Sequence, residues 1–297
     1  MFKTISFKVA FMINTMLLVL MGIGTVLLMF LQDQTLRSQF MAEGKMMSLI
    51  GAKSVSRIIE EGIDNGVLNA NDAFDTDYVL IPGFNPPKFH TKYDSYLDKA
   101  LLSMEDEFLK DPNVLYAVAV DTKGYLPTHD SKYQQPITGD QAKDRVGNRT
   151  KRIFDDPVGL AAARNQQEGF VQDYTRDTGE SALDFASPIM VKGRQWGNFR
   201  IGMLSSSLQD ARKKHMLSLL VLMAGGLIVT TFGALFTIKV ALRPLTRLTV
   251  IASHMADGNV DEKITVTSND EIGELGNVLE RMRISMKAAI ERLARKG

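Results

Sequence analysis

Two long uncharged runs are the feature that most constrains this sequence. Residues 9–31 and 216–238 each contain 23 residues without a charged side chain. A helix of that length spans about 35 Å, which is enough to cross a hydrocarbon core of about 30 Å. The first run exceeds the ~7 to 15 apolar residues of a signal peptide, and no Ala-x-Ala-like site follows it. Both runs therefore predict transmembrane helices, the first an uncleaved anchor.

The two predicted spans divide the chain into a tail of residues 1–8, a loop of residues 32–215 and an arm of residues 239–297. The loop contains 23 Lys and Arg against 26 Asp and Glu, and the arm 10 against 8. Neither part has the strongly basic balance of a nucleic-acid surface, so no nucleic-acid partner is expected. Basic residues flank the second span on both sides, so their count does not decide the orientation.

Several chemistries lack the residues that they need. The chain has no cysteine, which excludes disulfides and thiolate metal sites. Its four histidines lie far apart and show no metal-binding spacing, so no metal site is expected. No phosphate-binding Gly-Lys-Ser/Thr loop and no nucleophile elbow occurs. We expect a protein that is not an enzyme.

The C-terminal arm carries two helical stripes. Pro244, a residue favoured in a first helical turn, follows the second span, and Gly258 is expected to end that helix. Ser268 is predicted to cap a second helix, with Glu271 completing a capping box. Apolar residues then continue with 3-4 spacing over three heptads, which predicts a seam that needs a partner helix. The residues of this seam are Ile272, Leu275, Leu279, Met282, Met286, Ala289 and Leu293.

The order of these features resembles a HAMP domain, the parallel dimeric helical relay of bacterial membrane receptors. The resemblance covers roughly residues 237 to 290 and includes the motif "DEIGEL". It implies a homodimeric four-helix bundle in the cytoplasm and therefore places residues 32–215 outside. The residues that it assigns to the signal relay are Pro244, Gly258, Asp270, Glu271 and Gly273.

The sequence pattern of residues 32–215 predicts a helix followed by a sheet. Residues 33–64 are expected to extend the first span outward, and a helix is predicted over residues 96–110. Strands are predicted from period-two patterns and turn signals at Lys123-Gly124, "DTG" and "KGR". Their ranges are 114–121, 125–129, 170–176, 180–191 and 196–204.

This pattern resembles the Cache or PAS-like extracytoplasmic sensor of methyl-accepting chemotaxis proteins. The phrases "GYLPTH", "NRTKRIFDDPVGLAAARN", "YTRDTGE" and "GRQWGNFRIG" carry the resemblance. It implies an α+β membrane protein of the bacterial inner membrane: two transmembrane helices, an antiparallel sensor sheet with a long N-terminal helix, and a HAMP bundle. Receptors of this kind continue into a cytoplasmic hairpin that binds a kinase complex, and this sequence lacks it. A separate cytoplasmic signalling protein is therefore expected as the partner.

Strand alternation suggests where a small molecule binds. Trp196 and Arg200 are expected on one face of the last strand, and Tyr125 and His129 on one face of theirs. The hypothesis is a polar pocket covered by the segment with Arg149 and Arg152, two residues suited to a carboxylate. The predicted pocket residues are Tyr125, His129, Arg149, Arg152, Tyr174, Asp184, Trp196 and Arg200.

Other interpretations of the same residues stay open. Asp184 and Arg200 can be a structural ion pair, and Trp196 can be ordinary core. His129 can ligate non-covalent haem b in a PAS-like pocket, which would make the protein a gas or redox sensor, although no cofactor is the first expectation. A third hypothesis is a membrane scaffold whose outer domain binds another protein. The main prediction is a chemoreceptor-like sensor of a small molecule.

Overall fold

The computed structural model describes residues 5–265 and 268–295. Residues 1–4 of the predicted tail, and residues 266–267 and 296–297 of the C-terminal arm, lie outside the described residues. The chain divides into two compact units. One comprises residues 29–216, and the other combines the residues up to 28 with those from 217 onward.

Helices and strands alternate in the order of an α+β protein, which confirms the predicted class. The helices are α1 (Ile5–Asp64), α2 (Asp94–Ala100), α3 (Leu102–Phe108), α4 (Gln141–Gly147), α5 (Pro157–Arg164), α6 (Ser205–Ala256) and α7 (Glu271–Ala294). The strands are β1 (Val79–Ile81), β2 (Lys88–His90), β3 (Val114–Asp121), β4 (Tyr125–Leu126), β5 (Arg152–Ile153), β6 (Phe170–Thr175), β7 (Ser181–Val191) and β8 (Arg194–Leu204).

The helices α1 and α6 are long and apolar enough to cross a membrane. Each contains a window with a mean hydropathy of 2.2, and the side chains of these windows are not buried. Beyond its apolar run α1 continues to Asp64, as predicted. Pro244 does not begin a new helix, because α6 runs through it without a break. The prediction of a helix start at Pro244 was wrong: a proline removes one helical hydrogen bond but leaves the rest of the helix in place.

Four long strands form the central antiparallel sheet in the order β3-β8-β7-β6. β4 pairs with β5, and β1 pairs with β2 in a separate hairpin. A β-bulge lies between the pairs Ile189–Gly197 and Met190–Gln195, so that β8 carries Trp196 as an extra residue. The bulge reverses the alternation of side chains at this end of β8.

One face of the sheet packs against α1 in the main hydrophobic core. Phe185 and Phe199 are fully buried in this core. A Cβ atom on Gly44 would lie 2.4 Å from the Phe185 ring, and one on Gly51 would lie 2.1 Å from the Phe199 ring. These glycines are seven residues apart and therefore share one face of α1. Their lack of a side chain lets the helix backbone approach the aromatic rings.

The opposite face of the sheet carries a smaller core together with polar side chains. Tyr116, Val118 and Val120 of β3 belong to this core, with Leu126 and Tyr133 from the chain that follows. Phe154 and Tyr174 pack against it. The segment between β4 and β6 covers this face, and the candidate site lies beneath it.

In the second unit the end of α6 packs against α7. Leu248, Ile251 and Met255 of α6 form a buried cluster with Ile264 of the connector. The residues of α7 that contact this cluster are Ile272, Leu279 and Met286, spaced by seven. Three of the seven residues of the predicted seam therefore pack inside one copy of the chain.

Candidate ligand-binding site

Asp184 and Arg200 form a buried ion pair on the face of the sheet that carries the smaller core. Nη2 of Arg200 donates to Oδ2 of Asp184 at 2.8 Å, and Nε donates to Oδ1 at 3.1 Å. The hydroxyl of Tyr116 and the amide of Gln172 donate to the same carboxylate at 2.8 and 2.9 Å. Burial disfavours the charged guanidinium, but the neighbouring carboxylate outweighs it and raises the pKa of Arg200. The ion pair stays charged, and both carboxylate oxygens of Asp184 accept hydrogen bonds.

A second carboxylate, that of Asp177 in the turn after β6, lies within ion-pair distance of three arginines. Nη2 of Arg149 lies 2.7 Å from Oδ1 of Asp177. Arg145 and Arg152 each lie 3.6 Å from Oδ2. Burial opposes the charge on Asp177, but Arg149 more than compensates, so the pKa of Asp177 is lowered. Burial and the nearby Arg149 lower the pKa of Arg152 to about 10.

Nη1 of Arg149 is a buried hydrogen-bond donor without an acceptor among the described residues. The side chain of Arg149 is 3% exposed. The guanidinium carbon lies 5.1 Å from the centre of the Phe154 ring. A buried N–H group without an acceptor is costly, so this atom favours an external anion.

Arg176 is a second buried arginine of the same kind, and sequence reasoning missed it. Its guanidinium carbon lies 4.3 Å from the centre of the Tyr133 ring and 5.6 Å from that of Tyr116. Nη1 lies 3.7 Å from Oε2 of Glu180 and makes no hydrogen bond within the described part of the chain. Alternation along β6 gives the signal that could have found Arg176, because Tyr174 and Arg176 are two residues apart.

His129 borders these arginines. Its Nδ1 atom lies 2.9 Å from Oδ2 of Asp130, at ion-pair distance but without hydrogen-bond geometry. Burial lowers the pKa of His129, and the charges of Arg176 and Arg149 add to this shift against the opposite effect of Asp130. The imidazole is therefore neutral near pH 7.

These side chains line a partly open cavity of about 30 Å³. A cavity needs at least ~10 to 15 Å³ of volume accessible to water to hold one water molecule, so this cavity has room for a small polar group. The lining residues are Tyr116, Val118, Val120, Leu126, His129, Arg149, Phe154, Tyr174, Arg176 and Arg200.

The structure brings together six of the eight predicted pocket residues. His129, Arg149, Tyr174 and Arg200 line the cavity. Asp184 lies directly beside it through its bonds to Arg200, and Arg152 joins the shared Asp177. Their role in binding a ligand stays a prediction, but their proximity is a structural fact.

Tyr125 and Trp196 lie elsewhere, in the main core. The bulge in β8 turns Trp196 onto the face that Phe199 occupies, where its Nε1 donates to the carbonyl of Ala73 at 2.7 Å. The hydroxyl of Tyr125 donates to the carbonyl of Phe89 at 2.9 Å. The expectation that these two side chains face the other pocket residues was wrong.

The predicted strand over residues 125–129 ends at Leu126, which explains the position of Tyr125. Pro127 has no N–H group for a ladder, and the N–H of His129 donates to the side chain of Gln134 at 3.2 Å. His129 therefore does not lie on a strand with Tyr125, and it reaches the cavity from a turn.

The residues that the HAMP resemblance assigns to the relay lie at helix ends, apart from Pro244. Gly258 has a φ of 89° and ends α6, with the N–H of Asn259 bonded to the carbonyl of His254 at 3.0 Å. Asp270 rather than Ser268 caps α7, because its Oδ1 accepts from the N–H groups of Ile272 and Gly273. The cap prediction at Ser268 was wrong.

Gly273 allows the chain before α7 to approach the helix closely. A Cβ atom at this position would lie 1.9 Å from the carbonyl oxygen of Ser268. Glu271 is the first residue of α7 and places a negative charge at its N-terminus, where the helix dipole favours it. These residues fix how the connector meets α7.

Part of the α7 seam remains exposed on a single copy. Leu275 is 42% exposed and Met282 is 52% exposed. They alternate along the helix with the inward-facing residues of the seam. A second helix packed along this stripe would bury them.

Comparison with known proteins identifies the C-terminal arm. Residues 236–295 match the HAMP domain family model. No curated protein sequence matches the chain.

Two solved sensor domains are similar to this chain. The ligand-binding domain of the Campylobacter jejuni chemoreceptor Tlp3, in complex with 4-methylisoleucine, is 12% identical with a TM-score of 0.36. The similarity covers 70% of this chain, which spans only 64% of the length of that domain. The Escherichia coli DcuS sensor domain is 19% identical with a TM-score of 0.26, over 37% of this chain and 70% of that one. From the sequence match, residues 236–295 form a HAMP domain at the end of the second candidate span.

Proposed function

We propose that this protein is a transmembrane signalling receptor that binds a small anion in the cavity beside Arg200 and relays binding through its HAMP domain. One observation carries the proposal. Arg200 lies on β8, and the chain passes from β8 directly into α6, which runs unbroken through the candidate span to Ala256. A shift of β8 would be transmitted along one continuous helix to the HAMP domain.

The orientation follows from the HAMP domain, which is cytoplasmic in the receptors that the sequence resembles. Residues 32–215 would then lie outside the cytoplasm, and the protein would reside in the inner membrane of a bacterium. The folded unit of residues 29–216 has its own hydrophobic core, as an extracytoplasmic sensor requires.

The chemistry of the cavity supports a compact carboxylate as the ligand. Nη1 of Arg149 and Nη1 of Arg176 are buried donors without a protein acceptor among the described residues. A carboxylate supplies two acceptor oxygens in the geometry that guanidinium groups prefer. The volume of about 30 Å³ favours an acid of few heavy atoms. A larger acid would require the segment that covers the cavity to move.

The relay would operate between two copies of the chain. The exposed stripe with Leu275 and Met282 supports a parallel homodimer. Ligand binding would favour one packing of the HAMP bundle, and shifts of about 1 to 2 Å are sufficient for such switches. The altered α7 surface would be read by a cytoplasmic signalling protein.

The proposal does not include haem as a ligand of His129. Drug-sized ligands occupy pockets of ~300 to 1,000 Å³, and the cavity that His129 borders has a volume of about 30 Å³. No step of the proposed mechanism uses a cofactor.

The test uses the full chain in nanodiscs. Thermal unfolding is followed with a panel of short mono- and dicarboxylic acids and amino acids, because a ligand that binds the folded state raises the unfolding temperature. We expect a saturable increase with at least one acid. No increase across the panel would contradict the proposal and favour a scaffold that binds an extracytoplasmic protein.

A second measurement tests the relay. Since the chain has no cysteine, Met282→Cys provides a single site for disulfide cross-linking between copies in membranes. The acid identified in the panel should change the rate of cross-linking. Asn277→Cys, exposed on another face of α7, is the matched control and should cross-link slowly in both states. A ligand that binds without changing the rate at Met282→Cys would contradict the relay.

A further inference from the structure

A row of unpaired cations follows the second candidate span. Lys239, Arg243 and Arg247 are spaced by four residues and therefore share one face of α6. All three side chains are exposed. None of them forms an ion pair or a side-chain hydrogen bond with the residues that the structure describes.

The basic residues before the same span are different. Arg212 lies 2.5 Å from Asp33, and Lys213 lies 3.7 Å from Asp210. Two of the three cations on that side therefore have an acidic partner on the protein surface. The equal counts of basic residues on the two flanks conceal an excess of free positive charge on the HAMP side.

The free cations lie within side-chain reach of the expected lipid headgroup layer. With a rise of about 1.5 Å per residue, Arg243 lies about 7.5 Å and Arg247 about 13.5 Å beyond Ile238. The headgroup layer is about 5 to 8 Å thick. Helical side chains lean towards the helix N-terminus, which for α6 is the side of the bilayer. Arginine side chains can therefore reach the phosphate level from both positions.

These arginines also line a groove of about 700 Å³. Its lining also includes Thr265, Ser268 and the buried Leu248. Pro244 has no N–H group to donate, so the carbonyl of Val240 in the groove lacks its helical hydrogen bond. The groove thus combines guanidinium donors for an anion with an acceptor for a hydroxyl group.

We propose that this groove binds the phosphodiester headgroup of an anionic phospholipid from the surrounding bilayer, with Arg243 and Arg247 contacting the phosphate and Val240 accepting from a headgroup hydroxyl. A second copy of the chain is a less favourable occupant, because a parallel dimer brings the same arginines to the same depth. An anion between them relieves that repulsion. This site is independent of the ligand cavity.

The experiment measures lipid retention by native mass spectrometry of the full-length protein, titrated with dioleoylphosphatidylglycerol or dioleoylphosphatidylcholine. We expect phosphatidylglycerol to be retained preferentially. An anionic surface contributes roughly five-fold in affinity per Lys or Arg. Arg243→Gln/Arg247→Gln should therefore reduce the preference by about 30-fold, and Arg243→Lys/Arg247→Lys should keep most of it.

A matched control variant distinguishes binding in this groove from a general effect of positive charge on lipid retention. Lys213→Gln/Lys214→Gln removes the same charge from the other flank and should leave the preference unchanged. An equal loss of the preference for phosphatidylglycerol in Lys213→Gln/Lys214→Gln would overturn the proposal. An unchanged preference in Arg243→Gln/Arg247→Gln would also overturn it, and this result is expected if a second copy of the chain fills the groove. Complete displacement of phosphatidylglycerol by free glycerol 3-phosphate would also overturn it, since the groove would then bind a soluble anion.

Discussion

Nη2 of Arg200 lies 2.8 Å from Oδ2 of Asp184, and the strand that carries Arg200 leads directly into α6. Both side chains are at most 5% exposed. The ion pair therefore fixes the position of β8 below the cavity. It links the residues that would contact a ligand to the helix that would carry the signal.

Removing the charge of Asp184 should destabilise the sensor unit strongly. Asp184→Asn leaves Arg200 charged and buried without its counter-ion, a situation that costs about 3 to 5 kcal/mol of unfolding free energy. Denaturant unfolding of the full chain measures the change. Asp210→Asn, whose partner Lys213 is 73% exposed, is the control and should unfold like the wild type. Equal stability of the two variants would show that the buried pair does not hold β8 in place.

Truncation of the two arginines with free donors should weaken ligand binding. Arg149→Ala and Arg176→Ala each remove a buried cation from the proposed carboxylate, and such losses cost at least about 2 kcal/mol, or roughly 30-fold in affinity. Isothermal titration with the acid that stabilises the wild type measures the effect. Arg164→Ala removes an exposed arginine from α5 and should bind normally. Wild-type affinity in both cavity variants would exclude this cavity as the binding site.

The general architecture could be predicted because its signals are long or repeated. The uncharged runs led to α1 and α6, and regular alternation led to β7 and β8. The faces at the end of β8 could not be predicted, because a bulge at Trp196 shifts the phase by one residue without any composition signal. The hairpin of β1 and β2 was missed in a stretch rich in proline and aromatic residues.

The positions of the candidate site residues could be predicted where side chains alternate regularly along a strand. The predictions were wrong where the chain turns. Arg200 and Asp184 lie on long strands, and their faces followed from the pattern. Tyr125 was misplaced because its strand ends at Leu126, three residues before the predicted end at residue 129. Arg176 lies just past the end of β6, where alternation from Tyr174 indicates its face, and the tertiary fold brings it onto the ring of Tyr133.

Stability should depend on pH through His129. Burial, together with Arg176 and Arg149, holds the folded-state pKa of His129 below its ordinary value of 6.5, against the pull of Asp130. Below pH 6.5 the unfolded chain takes up a proton that the folded chain does not. The unfolding free energy should therefore fall as the pH is lowered from 6.5 towards the folded-state pKa, by at most about 1.4 kcal/mol per pH unit.

A histidine variant isolates this effect. His129→Gln should flatten the slope between pH 6.5 and the onset of carboxylate titration. Unfolding curves at a series of pH values provide the measurement. Identical slopes in His129→Gln and the wild type would mean that His129 has an ordinary pKa.

Gly273→Ala should disrupt the start of α7 without affecting the sensor unit. The new Cβ atom would lie 1.9 Å from the carbonyl oxygen of Ser268, so the connector must move away and the Asp270 cap must open. Loss of a cap costs about 0.5 to 2 kcal/mol of helix stability. We expect faster hydrogen exchange over residues 271–280 and unchanged exchange over residues 29–216.

The same variant distinguishes the relay from the binding site. Gly273→Ala should bind the stabilising acid with wild-type affinity, while the acid no longer changes cross-linking at Met282→Cys. The control is Gly225→Ala, where an added Cβ meets nothing within 4 Å, and it should keep both properties. If Gly273→Ala keeps the ligand-dependent cross-linking, the close approach of Ser268 to α7 is not part of the relay. The signal would then pass through the packing of α6 against α7 alone.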